Sequence, residues 1–195
     1  MRVILLLLII MFFSGCVSQE NTQIEKETPI EDETSIEEEI IMETLSIYSD
    51  VFEDGATLSS AYTCDGDDIS PAISWEEVPA GTQSIALVMD DPDAPGRTFV
   101  HWVIYNIPAS RSGLPSGVAK NNTLDDGSLQ GKNDFGKIGY GGPCPPSGKP
   151  HRYVFKVYAL DTEPDLKSGA TKSQLEAAMK GHILAQGEMV GTYGR

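Results

Sequence analysis

Residues 84–108 read SIALVMDDPDAPGRTFVHWVIYNIP, and the fold turns on this stretch. Ser84 to Met89 is a short apolar run, branched enough to be a buried strand. Asp90, Asp91 and Asp93 follow at once, with Pro92 and Pro95 fixing φ between them and Gly96 freeing the turn. The chain then returns to β alternation, which predicts Phe99, His101, Val103 and Tyr105 on one face. Carboxylates at a strand end beside a histidine on the next strand form a polar cluster at the rim of a core, the usual setting of a site.

A second stretch answers the first. Gly139-Tyr140-Gly141-Gly142-Pro143-Cys144-Pro145-Pro146 is a glycine and proline loop whose amides are expected to approach a ligand closely. His151 to Tyr158 is a strand, with His151, Tyr153 and Phe155 on one face and Arg152, Val154 and Lys156 on the other.

The ends of the chain are organised differently. Arg2, the apolar run Val3–Phe13 and Phe13-Ser14-Gly15-Cys16 form a targeting segment, residues 1–16, whose 11 apolar residues are too few for a permanent span. Small residues before Cys16 are similar to a lipobox, so lipid attachment at Cys16 is expected; the alternative is an ordinary secretory signal. Residues 17–44 are acidic, without glycine or aromatics, and read as an unfolded tether. Of the net charge of −15, residues 17–45 supply −9 and Arg2 +1, leaving −7 on 46–195. A mildly acidic domain with no basic stripe argues against nucleic acid as a partner.

Residues 45–195 are enough for one core. Leu45 to Ser49 alternates like a strand, and β character continues from Phe52 to Tyr62. Residues 62–71 form a turn-rich loop, Trp75 is a core residue, and Pro108 to Lys137 is long and polar, with a sequon at Asn121-Asn122-Thr123. Lys172 to Leu184 has helical spacing, with His182 on its apolar stripe, and Glu188 to Tyr193 reads as a short strand. Short β units without βα alternation predict a mainly β fold, an antiparallel β-sandwich with a few peripheral short helices, one near the C-terminus.

The ordered set DGxDxSPxxxW, DPDAP, a histidine ten residues after Asp91, GxxPP, HRYVFKVYALD and GHILAQGEMVGTYGR resembles the phosphatidylethanolamine-binding protein family, in its bacterial and archaeal Raf-kinase-inhibitor-like branch. The resemblance also implies a β-sandwich. It implies an anion pocket on Asp91, Asp93, His101, Gly141, Gly142, Pro145, His151 and Tyr153, and regulatory roles that include serine protease inhibition through surface loops. Imidazole N–H, tyrosine O–H and loop amides suit a phosphate or phosphorylated head group without a permanent cation. A carboxylate behind each histidine would favour imidazolium.

Other readings stay open. Two histidines and two aspartates suggest a metal, but HxH and HExxH spacings are absent, and Asp65, Asp67 and Asp68 lack the rest of a calcium loop. No metal or cofactor is therefore expected. A hydrolase using the His/Asp pocket is a further alternative, although no GxSxG occurs and no nucleophile stands out. Cys64 and Cys144 are expected to pair in an oxidising compartment, against two free thiols or a reactive Cys144. The expected protein is extracytoplasmic and membrane-tethered, a binder of a small anion with room for a protein partner such as a protease.

Overall fold

The computed structural model describes residues 43–195. The targeting segment, Cys16 and the tether up to residue 42 lie outside the described residues. In chain order the elements are β1 (Glu43–Thr44), β2 (Ser46–Tyr48), β3 (Ile73–Glu76), β4 (Ser84–Asp91), β5 (Phe99–Pro108), β6 (Gly113–Leu114), β7 (Leu129–Gln130), β8 (His151–Leu160), α1 (Lys172–Met179) and β9 (Ile183–Tyr193). One turn of 3-10 helix spans Ser60–Tyr62.

A six-stranded sheet runs β1-β9-β8-β4-β5-β7, and a three-stranded sheet runs β2-β3-β6. Every pair is antiparallel except β1 with β9, so the larger sheet is mixed rather than wholly antiparallel. Among the described residues the first to pair are Glu43 and Thr44, in register with Ala185 and Gln186.

β4 lies at the centre and is buried along all 8 residues, which explains its unbroken apolar run. Its odd-numbered residues Ile85, Leu87 and Met89 pack with Trp102, Ile104, Tyr153 and Phe155 against Ile73, Trp75 and Leu114 of the smaller sheet. Ala86 and Val88 face the other way and pack with Val103, Tyr105 and the α1 residues Leu175 and Met179. The sandwich therefore has its sheet-on-sheet layer on one side of β4 and its helix on the other.

Two register shifts interrupt the β4–β5 pairing. In the first, Ile107 opposite Ile85 is followed by Ile104 opposite Leu87, near Asn106 at φ 54°, and both isoleucines enter the inter-sheet core. In the second, Met89 pairs with Trp102 but Asp90 pairs with Val100, leaving His101 as the extra residue of a bulge. The bulge changes the phase of the strand: Val103 and Tyr105 face the helix, whereas Phe99 and His101 turn to the side of Asp91 and Tyr153. Simple alternation had put all four on one face.

Near the C-terminus, α1 stops at Met179, five residues before the expected end at Leu184, and Gly181 at φ 83° turns the chain out of it. A capping box of Thr171 and Gln174 starts the helix. His182 consequently lies beyond the helix, with its side chain 47% exposed and paired to Asp161, rather than on an apolar stripe. β9 is 11 residues long instead of a short final strand. Phe52 to Tyr62 forms no strand; residues 55–58 lie along the outer edge of β9 through isolated backbone bonds.

Candidate functional site

Asp90 and Asp91 end β4 and, by strand alternation, point to opposite faces. Asp90, on the helix side, receives Lys172 Nζ at 2.6 Å, with Lys156 Nζ at 3.7 Å. Asp91 points to the opposite face, toward His151. Its Oδ1 accepts the Asp93 amide at 2.9 Å, an Asx turn that organises the DPDAP loop, and its Oδ2 accepts His151 Nδ1–H at 2.8 Å.

The bulge delivers His101 to the same place. His101 Nδ1 donates to the Gly141 carbonyl at 2.7 Å, and the Gly141 amide returns a bond to the His101 carbonyl at 2.9 Å. The ring is 2% exposed and stands edge-on to Tyr153, whose own ring is fully buried. Burial pushes the His101 imidazole below its ordinary pKa, against the opposing pull of the Gly141 bond and of Asp91. Only His151 has a carboxylate behind it; His101 has a carbonyl, so the expectation of imidazolium at both rings is corrected at His101.

Asp91, His101 and His151 line one cavity of about 140 Å³. Phe99, Phe135, Pro95, Pro145 and Pro146 supply most of the remaining wall, and Phe99, Phe135 and His101 form an aromatic triad with ring centroids 4.7–5.3 Å apart. Tyr153 lies behind His101, and its hydroxyl finds no hydrogen-bond partner among the described residues. Burial, with the charges of Asp91 and Asp93, raises its pKa, so it stays a donor. Larger grooves of about 510 and 560 Å³ lie elsewhere, beside Lys156 and Glu188 and beside Lys132 and Lys172, and neither contains a histidine.

Three of the expected residues do something else. The Asp93 carboxylate does not line the cavity; it takes the guanidinium and the amide of Arg152. The Gly141 and Gly142 amides are also committed, to the His101 carbonyl and to Asp68 Oδ1 at 2.6 Å. These glycines instead allow close approach, since a Cβ on Gly142 would sit 2.6 Å from the Tyr62 carbonyl oxygen.

Sequence reasoning passed over Phe99, Phe135 and Asp68 as site residues. Asp68 ties the 62–68 loop to the cavity wall, and the DGxDxSP motif was its only signal. Asp65 and Asp68 are engaged by Arg195 and Lys120 respectively. Cys64 and Cys144 are joined as a disulfide across 80 positions of sequence, which removes the reactive-thiol alternative at Cys144. Among the described residues no group of three or more His, Cys, Asp or Glu side chains is arranged to hold a metal ion.

Comparison with known proteins places this geometry in context. A family model described as phosphatidylethanolamine-binding protein matches residues 48–194. A UPF0098 protein of Methanothermobacter thermautotrophicus is 49% identical over 151 residues, covering 77% of this chain and 99% of its own length. One from Aquifex aeolicus is 50% identical over 153 residues, covering 77% and 89%. Among solved structures, a phosphatidylethanolamine-binding protein homolog of Chlamydia trachomatis superposes with TM-score 0.71 at 38% identity, covering 78% of this chain and 98% of that one. E. coli YbcL, described as a member of the mammalian PEBP family, superposes with TM-score 0.73 at 35% identity, covering 77% and 98%.

Proposed function

This chain belongs to the phosphatidylethanolamine-binding protein family, and on that premise we propose that it binds a small anion, phosphate or a phosphorylated head group, between His101 and His151. One observation carries the reading: two imidazoles from neighbouring parts of the sheet, each with Nδ1 already committed, converge on a single cavity. Their Nε2 atoms are the groups left for a ligand. At about 140 Å³ the cavity is below the roughly 300–1,000 Å³ of a drug-sized site, which suits an anionic group rather than acyl chains. Asp91 completes the polar side, and Pro145 with the phenylalanines supplies apolar wall.

We also propose that the protein is extracytoplasmic and lipid-anchored at Cys16. The small residues before Cys16 and the acidic stretch after it support the anchor. The Cys64–Cys144 disulfide supports an oxidising compartment. Replacement Cys16→Ala should release the protein from the membrane fraction; unchanged fractionation would count against the anchor.

The binding reading is tested by NMR titration of the full chain with phosphate, phosphoethanolamine and acetate, following the side chains of His101 and His151. Saturable shifts confined to those rings and to Gly141 and Gly142 are expected. Silence at both rings would sink the anion site.

A further inference from the structure

We propose that the cavity selects singly protonated oxyanions and so takes phosphomonoesters in preference to phosphodiesters. The inference rests on the anion-site reading above and narrows it.

Which ring nitrogens are already committed decides the matter. A carbonyl oxygen has only lone pairs to offer, so the contact of His101 Nδ1 with Gly141 places the hydrogen on Nδ1. While the ring is neutral, as its burial favours, Nε2 is then a bare acceptor, and among the described residues no hydrogen bond reaches it. Asp91 likewise holds a hydrogen on His151 Nδ1, so that ring meets the ligand through Nε2 as well. Whatever the state of His151, the His101 lone pair requires a hydrogen from the ligand.

The charged and titratable surroundings of His101 do not supply that hydrogen. Asp91 faces it from β4, with Asp90 behind on the opposite side of the sheet, and Asp134 approaches from the loop before Phe135. From β8 come His151, held by Asp91, and Tyr153, whose ring lies perpendicular to that of His101 and whose hydroxyl makes no hydrogen bond among the described residues. Phe99 and Phe135 pack against the ring at 5.2 and 5.3 Å between centroids and offer no hydrogen-bonding hydrogen.

A ligand that fits must therefore carry an ionised oxygen and a hydroxyl on the same centre. A phosphomonoester does so below its second pKa of about 6. A phosphodiester presents an ester oxygen in place of the hydroxyl, facing one lone pair with another. Against a buried imidazole that mismatch weakens binding by about ten-fold or more. A phospholipid head group still esterified to its lipid is a diester and is disfavoured on this ground.

Methyl phosphate and dimethyl phosphate isolate the difference. At about pH 5 both carry a single negative charge, and they differ by one hydroxyl against one methoxy group. The full chain is titrated with each, following the His101 and His151 ring signals. Methyl phosphate is expected to bind about ten-fold tighter or better, and ethyl phosphate, a bulkier monoester, to match it. As the pH is raised through about 6, the advantage should fade with ionisation of the hydroxyl. In His101→Gln, whose amide offers both a donor and an acceptor, the gap should narrow.

Equal affinity for monoester and diester in the wild-type protein overturns the selectivity while leaving an anion site in place. An ethyl phosphate that binds as weakly as the diester assigns the discrimination to size and also overturns it. No response of either histidine to any of the three esters overturns the selectivity and the anion-site reading together.

Discussion

Arg152 closes its guanidinium on Asp93: Nε meets Oδ2 at 2.9 Å and Nη2 meets Oδ1 at 2.8 Å, while the Arg152 amide also reaches Oδ2 at 2.9 Å. The Asp93 amide in turn donates to Asp91, so the start of β8 and the DPDAP loop are held to one another at two successive residues, His151 and Arg152. Asp93 thereby serves the site by fixing the orientation of Asp91.

The hydrogen bonds from Arg152 hold the Asp93 carboxyl well below the usual carboxylate range. Its folded-state pKa is depressed, so the stabilisation is present above the unfolded value of about 3.9 and is lost as pH falls below it. Asp93→Asn should flatten the loss of stability in acid between about pH 4 and pH 2 relative to wild type. At neutral pH the cost should be modest, about 1 kcal/mol, because Arg152 is well exposed. Denaturant midpoints across that range are the check, and identical acid slopes would contradict the assignment.

His101 supplies a second, separate pH dependence. Burial lowers its folded-state pKa, so the neutral ring contributes stability that is present above the unfolded value of about 6.5 and declines as pH falls through the folded one. Wild-type unfolding midpoints should drop as pH falls below the unfolded value of about 6.5, and the slope should be shallower in His101→Gln. A slope unaffected by the substitution would show that His101 is not the group responsible.

The two adjacent glycines of the loop behind the cavity, Gly141 and Gly142, should respond unequally to alanine. A Cβ on Gly142 would meet the Tyr62 carbonyl oxygen at 2.6 Å and the Thr63 Cα at 2.9 Å, both backbone atoms. One on Gly141 would meet the Phe135 ring at 2.6 Å, a side chain 43% exposed and able to swing away. Gly142→Ala should destabilise by about 1–3 kcal/mol as an overpacking change, and Gly141→Ala by less. Thermal unfolding of the two variants measures the difference, and equal losses would show that Phe135 is as immovable as the backbone.

The disulfide and three further contacts join the 62–68 loop to the cavity wall. Tyr140 Oη donates to the Tyr62 carbonyl, Gly142 N to Asp68, and Cys64 N to the Pro143 carbonyl. Opening an 80-residue separation should cost about 4–5 kcal/mol on a loop-entropy basis. Reduction, or Cys64→Ser with Cys144→Ser, should lower the unfolding midpoint by a corresponding amount. The surviving contacts should keep the domain folded, with phosphate binding weakened rather than abolished. Full-strength binding after reduction would mean that those contacts alone shape the wall.

Much of the domain is legible one residue at a time. The period-two pattern of β8 assigns His151, Tyr153 and Phe155 to the core side, and they are there, because an unbroken strand transmits its phase along its length. Reading β5 the same way fails at His101, since the bulge arises from how Trp102 and Val100 register against Met89 and Asp90 in another strand. The full burial of β4 follows from its composition, whereas the end of α1 depends on a turn at Gly181 that spacing over Lys172 to Leu184 does not mark.

By itself the sequence determined which groups this protein owns: a β-rich core, a carboxylate-rich loop, two separated histidines, a glycine-proline loop and a cysteine pair. Composition and local periodicity suffice for that, because hydrophobic alternation and turn residues act over a few positions. Only the tertiary structure decided how those groups divide the work. It turned His101 toward Asp91 through a strand irregularity, gave Asp93 to Arg152, and used the glycine amides to bind the protein to itself. Hydrogen-bond partners are contested among residues 30 to 80 positions apart, and three-dimensional packing settles which donor meets which acceptor.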